Sequence, residues 1–142
     1  MFQTFKLLIY FFLGFLYLKE VQTDSMQNRY TLTVQVDGVI VNKGTLYIAV
    51  YTSKENFLNE AFRKTKVDLQ DFNNEFTFKN LPKGEYAVTI YQDLNQNKKL
   101  DKFLSIPLEP YGISNNVNGF PNFMNSKILL TQNKTIIIKI KN

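Results

Sequence analysis

Cysteine, histidine and tryptophan are all absent from the 142 residues. Without a thiol or an imidazole there is no cysteine nucleophile, no Ser-His pair, no imidazole base and no ordinary zinc site, which excludes most hydrolase mechanisms at once. The missing cysteines also leave the fold without a disulfide, so the compartment has to be judged from targeting signals. A full membrane span is lacking too. The apolar run LLIYFFLGFLYL, Leu7 to Leu18, covers about 18 Å as a helix against the roughly 30 Å of a hydrocarbon core. Preceded by Lys6, it has the form of a signal-peptide h-region. Residues 1–23 are therefore expected to be a signal peptide. They would be a retained N-terminal anchor if the segment is not cleaved, because KEVQTDS offers no clean small-residue cleavage pattern. The protein is expected to be exported, to the periplasm, the cell envelope or the medium, touching a membrane only through residues 7–18 if they stay.

Strong charge is the next absence. Seventeen basic and 12 acidic residues give a net charge of +5, and removing residues 1–23 takes away Lys6, Lys19 and Glu20 to leave +4. The lysines are scattered along the chain without the clustered stripe that phosphate binding needs, so no nucleic acid is expected as a partner. What is present is apolar: 44% of residues are hydrophobic and 15% aromatic, including 13 Phe and 8 Tyr. That composition suits one packed core, placed at residues 24–142 as a single domain.

From Tyr30 the spacing has period two. Tyr30, Leu32, Val34 and Val36 fall on one face with Thr31, Thr33 and Gln35 on the other, which predicts a half-buried strand. DGVIVNKG holds turns at Asp37-Gly38 and Asn42 to Gly44 that make a hairpin-like link to TLYIAVY, where Leu46, Ile48 and Val50 alternate with Tyr47, Ala49 and Tyr51. In TSKENFLNEAFRK, Ser53 as N-cap and Phe57, Leu58, Ala61 and Phe62 on one side predict a short helix. KVDLQ, NEFTFKNL and the stretch after the Pro82 to Gly84 turn, carrying Tyr86, Val88 and Ile90, are further strands, and KILLT with TIIIKIK is a last hairpin around Gln132-Asn133, with Ile136, Ile138 and Ile140 inward. About seven short strands, one short helix and an ordered loop from Phe103 to Asn125 point to an all-β, antiparallel β-sandwich.

Four pieces in this order, GTLYIAVYTSKENFL, LPKGEYAVTIYQDLNQNKKLD, IPLEPYGISNN and the aromatic FPNF, resemble a bacterial exported family catalogued as domain of unknown function 2141. The resemblance spans nearly the whole chain after the signal segment. It implies an exported immunoglobulin-like or transthyretin-like sandwich with no established activity. Similar proteins carry glycine in the second piece, where Gln96 and Lys98 stand here.

That piece contains DLNQNKKLD, residues 93–101, with an acid or amide at every second position. Calcium takes six to eight oxygens, and a chain curling round it turns alternate side chains inward. Asp93, Asn95, Asn97 and Asp101 match positions 1, 3, 5 and 9 of such a loop, with the carbonyl of Lys99 at position 7. Lys98 stands where a glycine should turn the chain, and Leu104 where a bidentate Glu should close the shell. The stretch is therefore both a candidate weak calcium loop and a candidate polar turn of Asp and Asn bonding their own backbone. Glu109, Tyr111, Ser114, Asn115 and Asn116 form the second polar concentration. They are expected either to hold a cell-envelope sugar or peptide or to brace the first loop, with Glu109 lending an oxygen to the ion.

The function expected is a non-catalytic exported binding or cell-envelope structural module. Its rival is a glycoside-acting enzyme built on Asp101 and Glu109 as paired acids, which would have to face each other across an open groove. Both pointing into one loop would favour scaffolding.

Overall fold

The computed structural model describes residues 28–40, 43–70 and 72–141; residues 1–27, with the signal segment and the domain boundary, and Asn42 lie outside the described residues. The strands are β1 (Arg29–Asp37), β2 (Thr45–Tyr51), β3 (Arg63–Asp68), β4 (Glu75–Pro82), β5 (Gly84–Asp93), β6 (Lys102–Phe103), β7 (Ile106–Pro107), β8 (Tyr111–Ile113), β9 (Ile128–Leu130) and β10 (Lys134–Lys139). One four-residue helix, α1 (Phe123–Ser126), follows a 3-10 turn at Ser114–Asn116. Among the described residues the chain is mostly β, with six strands of six residues or more and four of only two or three.

A three-stranded sheet runs β10-β1-β4, and a second sheet runs β3-β2-β5-β8 with β9 also on β5. The alternation along each strand decides which side chains meet. Leu32, Val34 and Val36 of β1, Leu46, Ile48 and Val50 of β2, and Val88 and Ile90 of β5 all belong to one buried apolar cluster. Each such side chain is worth about 1.5–3 kcal/mol of burial.

Three expectations about pairing and local structure are corrected. The link after β1 is not a hairpin: Gly38 and Gly44 take positive φ and carry the chain from one sheet to the other. There is no final hairpin either. β9 pairs with Gly84–Tyr86 of β5 while β10 lies parallel to β1, so the sheets are not wholly antiparallel. The reason is the length of β5: its ten residues offer one edge to β2 and split the other between β9 and β8, so Ile128 and Leu130 enter the core from the β5 side. The helix expected after Ser53 stops at one turn. The Ser53 hydroxyl does accept the Asn56 N–H, at 3.3 Å, but Leu58 takes φ 62°, and by Arg63 the chain is already β3. The short helix is instead α1, closed by a reciprocal cap between Asn122 and Asn125.

The two sheets are also joined by backbone along one edge. Tyr111 of β8 exchanges hydrogen bonds with Lys141 just beyond β10, at 3.0 and 2.8 Å. Gly112 makes this approach possible, since a Cβ there would stand 2.6 Å from Ile138 Cγ2 and 2.9 Å from the Lys139 carbonyl oxygen. Gly112→Ala is expected to cost about 1–3 kcal/mol through overpacking, read as a lowered urea midpoint; an unchanged midpoint would show that this edge has slack.

Candidate functional site

The loop 93–101 leaves the end of β5 and is closed by its own side chains. Asp93 is fully buried, and its carboxylate accepts the N–H groups of Asn97 at 3.1 Å and Lys98 at 2.7 Å. Asn95 and Asn97 each accept a backbone N–H two residues on, and both turn their amides onto the Asp101 carboxylate at 2.7–3.0 Å. Lys98 adopts φ 66°, the left-handed conformation that a glycine would ordinarily supply. The side chains of Asn95, Asn97 and Asp101 therefore converge on one point, with Asp93 behind them holding the turn. Lys99 contributes its N–H to Asn97. Among the described residues no three His, Cys, Asp or Glu side chains come together.

Glu109 ties this loop to the sheet. Its two carboxylate oxygens accept the N–H of Leu94 at 2.8 Å and of Asp101 at 3.2 Å, one from each end of the loop. Asp101 and Glu109 thus serve one loop rather than facing across a groove. The other candidates separate. Ser114 is buried, accepts the Val88 N–H and donates to the Ser126 carbonyl. Asn115 donates to the carbonyls of Asn125 and Lys127, while Asn116 both donates to Ile137 and accepts from Lys139. These three stitch the long loop to β5 and β10. Tyr111 alone of the group lines a cavity.

That cavity lies on the outer face of the five-stranded sheet, with a volume of about 930 Å³. Its floor follows from register. Lys66, Tyr47, Tyr91 and Tyr111 are paired in succession across β3, β2, β5 and β8, forming one row. In the next row Lys64, Ala49, Thr89 and Ile113 are paired in the same way, and the small Ala49 and Thr89 leave a trough. Tyr47 and Tyr91 stack at 5.0 Å and 8°. Beyond the trough, Tyr51, Phe57 and Phe123 meet edge to face and form a second apolar cluster with Ala87. The loop after β2, the arm formed by β6 and β7, and Gly119 to Pro121 supply the walls.

The row was only half visible in the sequence. The alternation puts Tyr47, Ala49 and Tyr51 on the face opposite the core; a solvated face would ordinarily be polar, and two tyrosines flanking an alanine there are the signal for the row. The surroundings show in the phenols. Burial, then the neighbouring Tyr47, Asp93, Glu109 and Tyr51, pushes the Tyr91 hydroxyl up to about 12. Tyr51 is also raised, chiefly by burial, against a hydrogen bond from Thr89.

Two predictions follow from these contacts. Glu109→Ala strips both loop ends of a charged acceptor and is expected to lower stability by about 2–4 kcal/mol, measured by chemical denaturation; a loss under ~0.5 kcal/mol would show that the brace is idle. Because the folded state holds the Tyr91 proton above the ordinary value of 10, the stability it contributes is complete below pH 10 and fades as pH rises toward 12. The last phenolate to appear in an alkaline absorbance titration should vanish in Tyr91→Phe; a titration unchanged by that substitution would contradict the assignment.

No curated protein and no solved structure matches the chain. The family described as "Uncharacterized protein conserved in bacteria (DUF2141)" matches residues 34–138. That span runs from the middle of β1 into β10 and takes in both sheets, the braced loop and the groove, so the chain belongs to this family.

Proposed function

We propose that the protein is an exported, non-catalytic binding module: an immunoglobulin-like or transthyretin-like β-sandwich that holds a small ligand in the outer groove of its larger sheet. One observation carries this reading. The cavity on the outer face is floored by a built row of tyrosines, while the two acids that an enzyme would need are engaged within one loop, Glu109 by the backbone N–H groups of Leu94 and Asp101 and Asp101 by the side-chain amides of Asn95 and Asn97. A concave, mostly apolar site of this size is the usual form of a small-molecule pocket, about 300–1,000 Å³. Export rests on the sequence of residues 1–23.

A screen of cell-wall sugars, short peptides and small organic anions tests it, read by tyrosine emission that no tryptophan masks. Hits are expected, and filling the trough by Ala49→Phe should abolish them at an unchanged melting temperature. Hits that survive the filled groove would place the site elsewhere, and turnover of any hit would overturn the non-catalytic reading.

A second reading applies to the 93–101 loop, as a low-affinity calcium site. The side chains of Asn95, Asn97 and Asp101 meet at one point beside the left-handed Lys98, and calcium there would take the Asp101 oxygens in place of the amide N–H groups they now accept, with the Asn95 and Asn97 oxygens turned from the backbone to the ion. Two carboxylates beside Lys98 and Lys99 set the affinity in the weak range, about 0.1–1 mM. Adding calcium to about 5 mM should then stabilise the fold by roughly 1–2 kcal/mol, seen as a rise of several degrees in melting temperature. No rise would assign the cluster to turn formation alone.

A further inference from the structure

We infer that the outer groove is built for an amphiphilic anion, a hydrocarbon chain ending in a carboxylate, with the chain in the Ala49–Thr89 trough and the head group among the lysines. This deepens the proposed ligand site and rests on it.

The lips of the groove argue for the hydrocarbon. Leu58, Ile106 and Phe120 come from three separate segments, are 51%, 60% and 82% exposed, and line the same cavity. Large apolar side chains gathered round one opening and left in water mark a surface that something apolar covers. The polar lining is poor in the groups that a neutral sugar would need. Asn59 is the sole amide among the lining residues, and no carboxylate is among them.

The charges argue for the anion. Lys64, Lys66, Lys98 and Lys102 line the groove, and neither of the two ion pairs among the described residues includes any of them. The carboxylates of Asp93 and Glu109, close enough to act on the Tyr91 hydroxyl, belong to buried residues and each accepts backbone N–H groups. They dilute the positive field but offer no partner at the mouth. An apolar trough with unpaired cations at its rim is complementary to a molecule with one oily and one negative end. The tyrosines suit this arrangement, since each gives a ring to the chain and a hydroxyl to the head.

The full chain should be titrated with decanoate below its micelle concentration, reading tyrosine emission and the shifts of the ring protons, with octanoate, decanol and acetate alongside. Decanoate is expected to bind. Removing two methylenes should weaken binding by up to about 15-fold, at roughly fourfold per buried methylene. Lys66→Glu combined with Lys102→Glu should weaken decanoate about tenfold, the equivalent of ~1.4 kcal/mol, and leave decanol unchanged. Equal binding of decanol and decanoate, or binding of acetate as tight as decanoate, would overturn the inference. So would a decanoate response seen only with micelles or vesicles, which would mark a membrane surface. If decanoate fails while a sugar or peptide gives a signal that Ala49→Phe removes, the ligand class falls and the groove stands. If nothing perturbs the tyrosines, both fall.

Discussion

The antiparallel pairing of β2 with β5 is the constraint on which the rest depends. Its seven rungs from Thr45–Asp93 to Tyr51–Ala87 set two faces at once. On the inner face Leu46, Ile48, Val50, Val88 and Ile90 join the core shared with β1, β4 and β10. On the outer face the same register sets Tyr47 against Tyr91 and Ala49 against Thr89. A slip by one residue would send every one of these side chains to the opposite face, so core and groove are specified by one register.

The end of this ladder also positions the polar loop. Gln92 is fully buried at the last rungs, and its amide bridges the Ile40 and Lys43 carbonyls and the Ile40 N–H, all within 3.0 Å, so the crossing from β1 to β2 is held by a β5 side chain. Gly44 passes so close to the Asp93 carbonyl that a Cβ would fall 2.1 Å from its oxygen. Asp93 is thus fixed on both sides before it begins to organise Asn97 and Lys98. Glu109 then closes the far end. Leaving such buried donors unpaired costs more than any one bond returns, which explains why so many Asp, Asn and Glu side chains here point at backbone.

The elements whose signal is local were legible. Alternation in LTVQV, LYIAV and YAVTI marks strands because burial of one face imposes period two. The Asp and Asn spacing of 93–101 marks a tight polar turn for an equally local reason. Partners were not legible. Nothing in KILLTQNKTIIIKI says that its halves join different sheets, because that choice depends on which edges β5 and β1 leave open. The helical spacing of Phe57, Leu58, Ala61 and Phe62 misled for the opposite reason: Phe57 and Ala61 pack with Tyr51, Ala87 and Phe123, Phe62 turns instead to the Tyr86 ring, and a single turn suffices to place them. The groove lips are less legible still, since Leu58, Ile106 and Phe120 are far apart in sequence.

The two aromatic features of the outer face do not carry equal weight. A stacked tyrosine pair across neighbouring strands is worth about 0.5–1.5 kcal/mol, so Tyr47 and Tyr91 could be justified by stability alone. Tyr51 has a similar return from Phe57 and Phe123. Leu58, Ile106 and Phe120 have none: each is more than half exposed, and none belongs to either apolar cluster. Stability accounts for the floor but not for the lips, which the proposed ligand would cover. The case for ligand binding therefore rests less on the tyrosines that first draw notice than on three aliphatic and aromatic side chains whose exposure the fold does nothing to relieve.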